Sequence, residues 1–415
     1  MPDERRPSPV DPSLAVTGSN GRGQNGARRP LTSSVIERVK PSAIRKFFDI
    51  LATMDEVISL GIGEPDFTTP DHINQAALES IRTGHTHYTS NYGLLALRER
   101  IVDNLERTYG VSYDPNDEVV VTVGASEGID IAVRAIVEPG DGVLLPEPAY
   151  VSYAACITFA GADIQPVATH PERAFSLTAA DVERAITPSS RAILLGFPNN
   201  PTGAVLERHE AQAIVDLAIK HDLLIISDEI YGRLVYGAEH VCIPSLRGAR
   251  ERTILVNGFS KAYAMTGWRL GYVCAPVEIT QAMMKVHSYV VMSAPTAAQY
   301  AAIEALDKGE QDVQAMVAEY DRRRKLLVKG LNDMGLTCLE PRGAFYAFPS
   351  IAVTGMTSED FSLKLLEEEQ VAVIAGSGFG DHGEGHVRMC YATSYEQIEE
   401  ALERMRRFVQ RHAAG

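Results

Sequence analysis

Short apolar runs alternate with stretches of helical periodicity through the middle of the chain. The runs at 118–123, 142–145, 191–197, 223–227 and 253–256 are rich in Val, Ile and Leu, and each is closed by Gly, Pro, Asp or Asn. That composition predicts buried strands. Helices are predicted from the Gly124 turn to about residue 137, from the Tyr150–Tyr153 region to about residue 159, and over 208–221. Strands and helices that alternate with short links predict a parallel sheet with helices on both faces. In such a sheet, ligands bind outside the carboxyl ends of the strands.

The flanks have a different rhythm. Residues 1–33 are rich in Pro, Gly, Ser, Asn and Arg and predict a disordered tail. Helical periodicity follows over 36–54, its main part opened by Pro41 and Ser42, and then a short strand over 57–60. Helices are expected over 71–83 and 94–109. After the sheet region come a helix over 277–291, a break at Pro295 and a long helical region over 297–334. Strands at 343–348, 371–374 and 386–391 then surround a helix over 358–370, and a last helix runs from Ser394 to about residue 409. Ser394 is its expected cap, with Glu396 and Gln397 in the first turn. This wider alternation predicts a smaller α+β domain. The expected division is a tail at 1–33, a small domain from 34–66 and 301–415, and a large domain over 67–300.

Chemistry collects at the predicted strand ends. Lys261 follows the 253–256 strand, in a loop of Ala, Met, Gly and Trp. A desolvated lysine there has a lowered pKa and serves as an amine nucleophile. For a lone lysine, a surface position with its stem over the tryptophan is the better reading, and only the company of the other strand-end residues changes that. Gly124-Ala-Ser-Glu-Gly128 joins a strand to a helix N-terminus, where free N–H groups and the helix dipole favour an anion such as phosphate. It lacks the Gly-Lys-Ser/Thr of a nucleotide loop and does not match GxGxxG. Tyr150 stands where a ring could stack on a flat ligand. Pro198-Asn-Asn-Pro-Thr-Gly203 offers the Asn200 amide. Asp228 ends an apolar strand, so its carboxylate is expected to have a cationic partner. Gly61 and Gly63 permit close backbone approach. Arg388 alternates within an apolar strand and needs either a structural or a ligand carboxylate.

Composition narrows the classes. The chain has 415 residues, 45% of them hydrophobic, which suits two domains. A formal net charge of -15 makes it a poor nucleic-acid binder. Cys156, Cys242, Cys274, Cys338 and Cys390 are scattered, without a CxxC pair, and suit reduced thiols better than disulfides or a metal site. No apolar run reaches membrane-spanning length, and the start resembles no signal peptide. The expectation is a cytoplasmic protein with no membrane, nucleic-acid or metal partner.

Taken together, Gly61-Ile-Gly-Glu-Pro-Asp-Phe67, Tyr88-Thr-Ser-Asn-Tyr-Gly93, Asn200-Pro-Thr-Gly203, Asp228-Glu-Ile-Tyr231, Ser260-Lys261 with Thr266-Gly-Trp-Arg-Leu-Gly-Tyr272, Gly343-Ala-Phe-Tyr346 and Gly385-His-Val-Arg388 resemble the class I aminotransferases of pyridoxal phosphate fold type I. They stand in that family's order across about residues 34 to 411. Ser42-Ala-Ile-Arg-Lys-Phe-Phe48 and Gly376-Ser-Gly-Phe379 are similar to a subgroup that includes N-acetyl-diaminopimelate and aromatic aminotransferases. The resemblance implies an α/β fold with a mostly parallel seven-stranded sheet flanked by helices, plus the smaller α+β domain. It implies pyridoxal 5'-phosphate as cofactor and a homodimer with shared active sites.

The same resemblance implies roles for the residues. Lys261 carries the cofactor as a Schiff base and moves the substrate Cα proton to C4′ in a ping-pong exchange between an L-amino acid and a 2-oxo acid. Asp228 pairs with the ring nitrogen. Asn200 and Tyr231 bond the ring oxygen, and Tyr150 stacks on the ring. Ala125, Ser126, Ser260 and Arg269 hold the phosphate, joined by Tyr88 from the neighbouring subunit. Arg388 clamps the α-carboxylate, with Gly63 and Asn200 beside it. Two positions depart from the pattern: Gly258 stands where many relatives have a second Ser, and Ser126 where one aspartate-specific branch has Lys. The substrate stays open among aromatic, aspartate- or alanine-like and N-acyl-diaminopimelate donors. The loop 237–247 and residues 45–48, including Phe47 and Phe48, are candidates for the side-chain pocket. A C–S β-lyase on the same scaffold, or a non-catalytic cofactor-binding regulator, fits the same motifs.

Overall fold

The computed structural model describes residues 30–39 and 56–413. Most of the tail at 1–33 and the main part of the 36–54 helix, with Pro41, Ser42, Phe47 and Phe48, lie outside them. Twelve strands follow in order: β1 (Ile58–Ser59), β2 (Val119–Thr122), β3 (Gly142–Glu147), β4 (Asp163–Ala168), β5 (Ser190–Gly196), β6 (Leu224–Asp228), β7 (Thr253–Gly258), β8 (Gly271–Cys274), β9 (Tyr346–Ala347), β10 (Val371–Ala372), β11 (Ile374–Ala375) and β12 (Val387–Cys390). Seven of them form one sheet in the order β2-β8-β7-β6-β5-β3-β4. Every neighbouring pair is parallel except the two that involve β8.

The strand sequences are almost continuously apolar because both faces of the sheet are covered. Alternate residues enter different cores. Val143, Leu194, Ile226 and Ile254 pack with helix Gly124–Ile136. Their neighbours Leu144, Ile193 and Ile225 pack with helix Arg208–Lys220 on the other side. Toward the β2 edge, Val121, Leu255 and Tyr272 join helices Asp71–Arg82, Leu95–Tyr109 and Thr296–Lys308.

Two strands of the sheet escape a reading by apolar runs. Edge strand β4 contains Asp163, Gln165 and Pro166 and is largely exposed or half-buried. Short β8 follows the Lys261 loop and has no long Val/Ile run. Helix Ala179–Ala185 is also additional; Thr178 caps it reciprocally with Asp181. The long helical region splits at Gly309 into Thr296–Lys308 and Glu310–Asp333. Helix Tyr395–His412 is capped as expected, its Ser394 side chain accepting from the Gln397 N–H. Among the described residues, no helix is long and apolar enough to cross a membrane.

The last third of the chain returns to the carboxyl edge of the sheet. Strand β1 lies parallel to β10, with Ile58 opposite Val371. The Cys390 N–H donates to the Leu60 carbonyl at 2.7 Å, so the chain leaving β1 passes beside the end of β12. This places the Gly61–Phe67 loop next to Arg388. Asp66 anchors the loop further, both its oxygens accepting from Arg323 Nη1 at 2.8 and 2.9 Å.

A close backbone approach supports the anion turn. A Cβ at Gly271 would lie 2.6 Å from the Ala125 nitrogen and 2.7 Å from the Gly124 carbonyl carbon. Both are backbone atoms that cannot rotate away. Gly271→Ala is therefore expected to destabilise the protein by about 1–3 kcal/mol, the usual range for overpacking. Chemical denaturation of both proteins checks this; an unchanged midpoint would refute the close packing.

Candidate active site

The carboxyl ends of β2, β3, β5, β6 and β7 open onto one cavity of about 500 Å³. Its volume suits a small organic ligand or cofactor. Gly63, Ala125, Ser126, Tyr150, Asn200, Asp228, Tyr231, Ser260, Lys261, Arg269 and Arg388 all line it. Tyr88 does not; it is 82% exposed on its own chain.

At one side of the cavity, helix Gly124–Ile136 starts directly after β2 and presents Ala125 and Ser126 at its N-terminus. Free N–H groups there favour an anion. Ser260 and Arg269 come to the same place from the loop between β7 and β8. Arg269 has a left-handed backbone, φ 52°, and donates from Nη1 to the Thr266 carbonyl at 2.9 Å. The departure at Gly258 has a steric reason. It faces Gly271 across the β7–β8 ladder, and a Cβ there would lie 3.0 Å from the Gly271 Cα and the Leu270 carbonyl.

Asp228 ends β6 and is 5% exposed. The expected cationic partner is not among its hydrogen-bonding neighbours in the described chain, which are neutral. Tyr153 Oη donates to Oδ2 at 2.8 Å and the Ile230 N–H donates to Oδ1 at 3.1 Å. Burial pushes the Asp228 carboxyl up to about 6, against the pull of those two hydrogen bonds. Lys261 donates from Nζ to the Gly63 carbonyl at 2.7 Å. Burial, aided by the Arg388 and Arg269 charges, brings its amine down to about 8. The nucleophile expected from the sequence is thus desolvated rather than spread on the surface.

Arg388 is buried on β12. It donates from Nη1 to Asn200 Oδ1 at 3.0 Å and from Nη2 to the Gly61 carbonyl at 2.6 Å. Its Nε has no partner, and no carboxylate among the described residues neutralises it. Tyr231 meets Tyr346 hydroxyl to hydroxyl at 2.7 Å. Tyr150 sits edge-on to Tyr153, with ring centroids 5.5 Å apart.

Some of the site was missed and some misplaced. Tyr153 and Tyr346 line the cavity without having been assigned a role. Tyr153 could have been found by its spacing, one helical turn after Tyr150. The 237–247 loop does not line the cavity. Val241, Ile243 and Leu246 are apolar enough to be drawn into the core behind the sheet. The residues at 45–48 lie outside the described structure.

The buried lysine predicts a pH-dependent cost. An unfolded lysine titrates near about 10.4. Between that value and about 8, the unfolded chain holds more protons, so stability rises with pH. The cost of the buried ammonium is complete below pH 8 and vanishes as pH rises past the unfolded value. Lys261→Met should therefore stabilise the ligand-free protein at pH 7 and do so less at pH 9.5. Unfolding curves at the two pH values check this, and a gain independent of pH would refute it.

A family model for aminotransferase class I and II matches residues 55–405. The chain is 48% identical over 376 residues to an aspartate aminotransferase of Pyrococcus abyssi, covering 90% of this chain and 97% of that one. It is 45% identical over 376 residues to aromatic-amino-acid aminotransferase 2 of Thermococcus litoralis, again covering 90% and 97%. A solved aromatic aminotransferase from Pyrococcus horikoshii aligns with a TM-score of 0.85 at 47% identity, covering 88% of this chain and 99% of that chain. The charged cavity at the strand ends thus sits in a chain that matches these enzymes over nearly their whole length, and the chain belongs to the class I and II aminotransferases.

Proposed function

We propose that the cavity binds pyridoxal 5'-phosphate and exchanges an amino group between an L-amino acid and a 2-oxo acid in two half-reactions. The observation that carries this reading is a mismatch of charge. Asp228 is a buried carboxylate with only neutral donors, and Arg388 is a buried guanidinium with an unpartnered Nε. Both face one cavity that also contains an amine of lowered pKa. A ligand with a cationic ring nitrogen and a substrate with a carboxylate would satisfy both. The anion turn at Ala125 and Ser126, with Ser260 and Arg269, fits the phosphate.

When bound, pyridoxal 5'-phosphate supplies an aldehyde that condenses with amines and a ring that accepts electrons from the substrate Cα. The chain's own residues do the rest. Asp228 keeps the ring nitrogen protonated. Asn200 and Tyr231 orient the ring through its oxygen, and Tyr150 covers a face. Arg388 binds the α-carboxylate and so fixes which Cα bond faces Lys261. The Lys261 amine, poised by its lowered pKa, would take the Cα proton as general base and deliver it to C4′ as general acid. Such a step is typically worth about 10²–10⁴-fold.

The reading extends to a homodimer in the cytoplasm. Tyr88 is 82% exposed, with Tyr289 at 94% and Val290 at 73%. Exposed aromatic and apolar groups of this kind suit a covering partner, and Tyr88 would then reach the phosphate of the second copy. The donor's side chain is left unassigned.

The test is a half-reaction. The cofactor-loaded protein is mixed with single L-amino acids, no acceptor added, and the cofactor absorbance is followed. Conversion to the pyridoxamine band with release of the matching oxo acid is expected. Release of pyruvate and ammonia with the original band retained would instead show lyase chemistry. Arg388→Ala should raise the KM for the donor about 10- to 100-fold, the value of a lost charge-assisted contact. An unchanged KM would remove Arg388 from the carboxylate site.

A further inference from the structure

We infer that Tyr153 is a positioning residue for the reaction, holding Asp228 in the fixed, charged form that a cationic ring nitrogen requires. The inference rests on the reading that Asp228 faces that nitrogen. Its support is geometric. Tyr153 lies on helix Val151–Phe159, one turn beyond Tyr150, and its hydroxyl donates to Asp228 Oδ2 at 2.8 Å. The ring is 5% exposed and lines the same cavity as Asp228.

The sheet makes room for this contact. Gly196 is the residue directly beside Asp228 on the neighbouring strand, β5. A Cβ at Gly196 would lie 2.5 Å from the Tyr153 hydroxyl oxygen. Any larger residue there would displace the phenol from the carboxylate. The phenol thus enters through the gap that Gly196 leaves at this register position.

Physical chemistry gives the contact its role. A buried carboxylate tends to take up a proton, and burial already pushes Asp228 up to about 6. A neutral Asp228 could not serve as counter-ion. Two hydrogen bonds oppose protonation, one from Tyr153 and one from the Ile230 N–H. Of the charged neighbours, Glu229 favours protonation and Lys261 opposes it. Once Lys261 is joined to the cofactor, its ammonium charge is no longer the same aid, and the phenol becomes the main side-chain donor. The phenol stays a donor throughout, because burial and the adjacent Asp228 push its own ionisation well above the usual range. Tyr150 and Tyr346 also face it, and neither is a cation that would reverse this. Each carboxylate oxygen has a second lone pair, so Asp228 can accept one more donor while Tyr153 is in place.

Tyr153→Phe keeps the ring and removes only the hydroxyl. The experiment measures equilibrium binding of pyridoxal 5'-phosphate, and of its analogue with carbon in place of the ring nitrogen, to wild type, Tyr153→Phe, Asp228→Asn and the double variant. A hydrogen bond to a charged group corresponds to about 10- to 100-fold in affinity. Tyr153→Phe should weaken the natural cofactor by that amount. It should leave the carbon analogue within about twofold, a result that also shows the variant folds. In the Asp228→Asn background, loss of the hydroxyl should add no further effect. Wild-type affinity for the natural cofactor in Tyr153→Phe would overturn the inference. So would equal weakening of both cofactors, which marks a merely structural tyrosine. If Asp228→Asn itself binds both cofactors as wild type does, the parent assignment of Asp228 fails, and that outcome is distinct from either.

Discussion

The site depends on keeping opposite charges buried within one cavity without letting them neutralise each other. Asp228 is enclosed at the end of β6, where its hydrogen bonds come from a phenol and a backbone N–H. Lys261 rests on the Gly63 carbonyl and Arg388 on the Gly61 carbonyl and the Asn200 amide. Neutral acceptors satisfy the cations and neutral donors satisfy the anion. Isolated buried charges are costly. Here the cost is stored as an amine titrating near 8 and a carboxyl near 6. Those are shifts toward the range useful for proton transfer and charge pairing at neutral pH.

The fold maintains this separation by bringing distant segments to one edge. Asp228 ends β6 and Lys261 stands in the loop that follows the adjacent parallel strand β7, so neighbouring strands deliver both to one edge. Arg388 comes from another sheet; its neighbour Cys390 bonds the Leu60 carbonyl just after β1, and Arg388 itself reaches Asn200 beyond β5. The Gly61–Phe67 loop supplies the two carbonyls that hold the cations. Its Asp66–Arg323 pair anchors it to helix Glu310–Asp333. A loop with so many duties must approach closely, and the glycines at 61 and 63 allow that.

Much of this was legible in the sequence for a physical reason. Strands buried on both faces read as apolar runs, and the ligand-facing residues follow those runs at their ends. Lys261, Asp228, Asn200, Tyr150 and the Gly124 turn could therefore be gathered before any coordinates. The edge strand β4 could not, because half-exposed residues such as Asp163 and Gln165 carry no apolar signal. The described chain hydrogen-bonds Asp228 with neutral donors, so the cation expected beside it falls to a ligand in the proposed function. The spacing from Tyr150 marks Tyr153 as a neighbour of the site, but not its contact with Asp228, which lies 75 residues away in sequence. The 237–247 loop shows the converse: its apolar residues went to the core, not to a pocket.

The most direct measurement of the central claim is where the cofactor attaches. The protein is loaded with pyridoxal 5'-phosphate, reduced with borohydride, digested and mapped by mass spectrometry. The account predicts one phosphopyridoxyl-modified lysine, Lys261, at close to one per chain. Stable modification at another lysine, or none above the level of free surface amines, would contradict it.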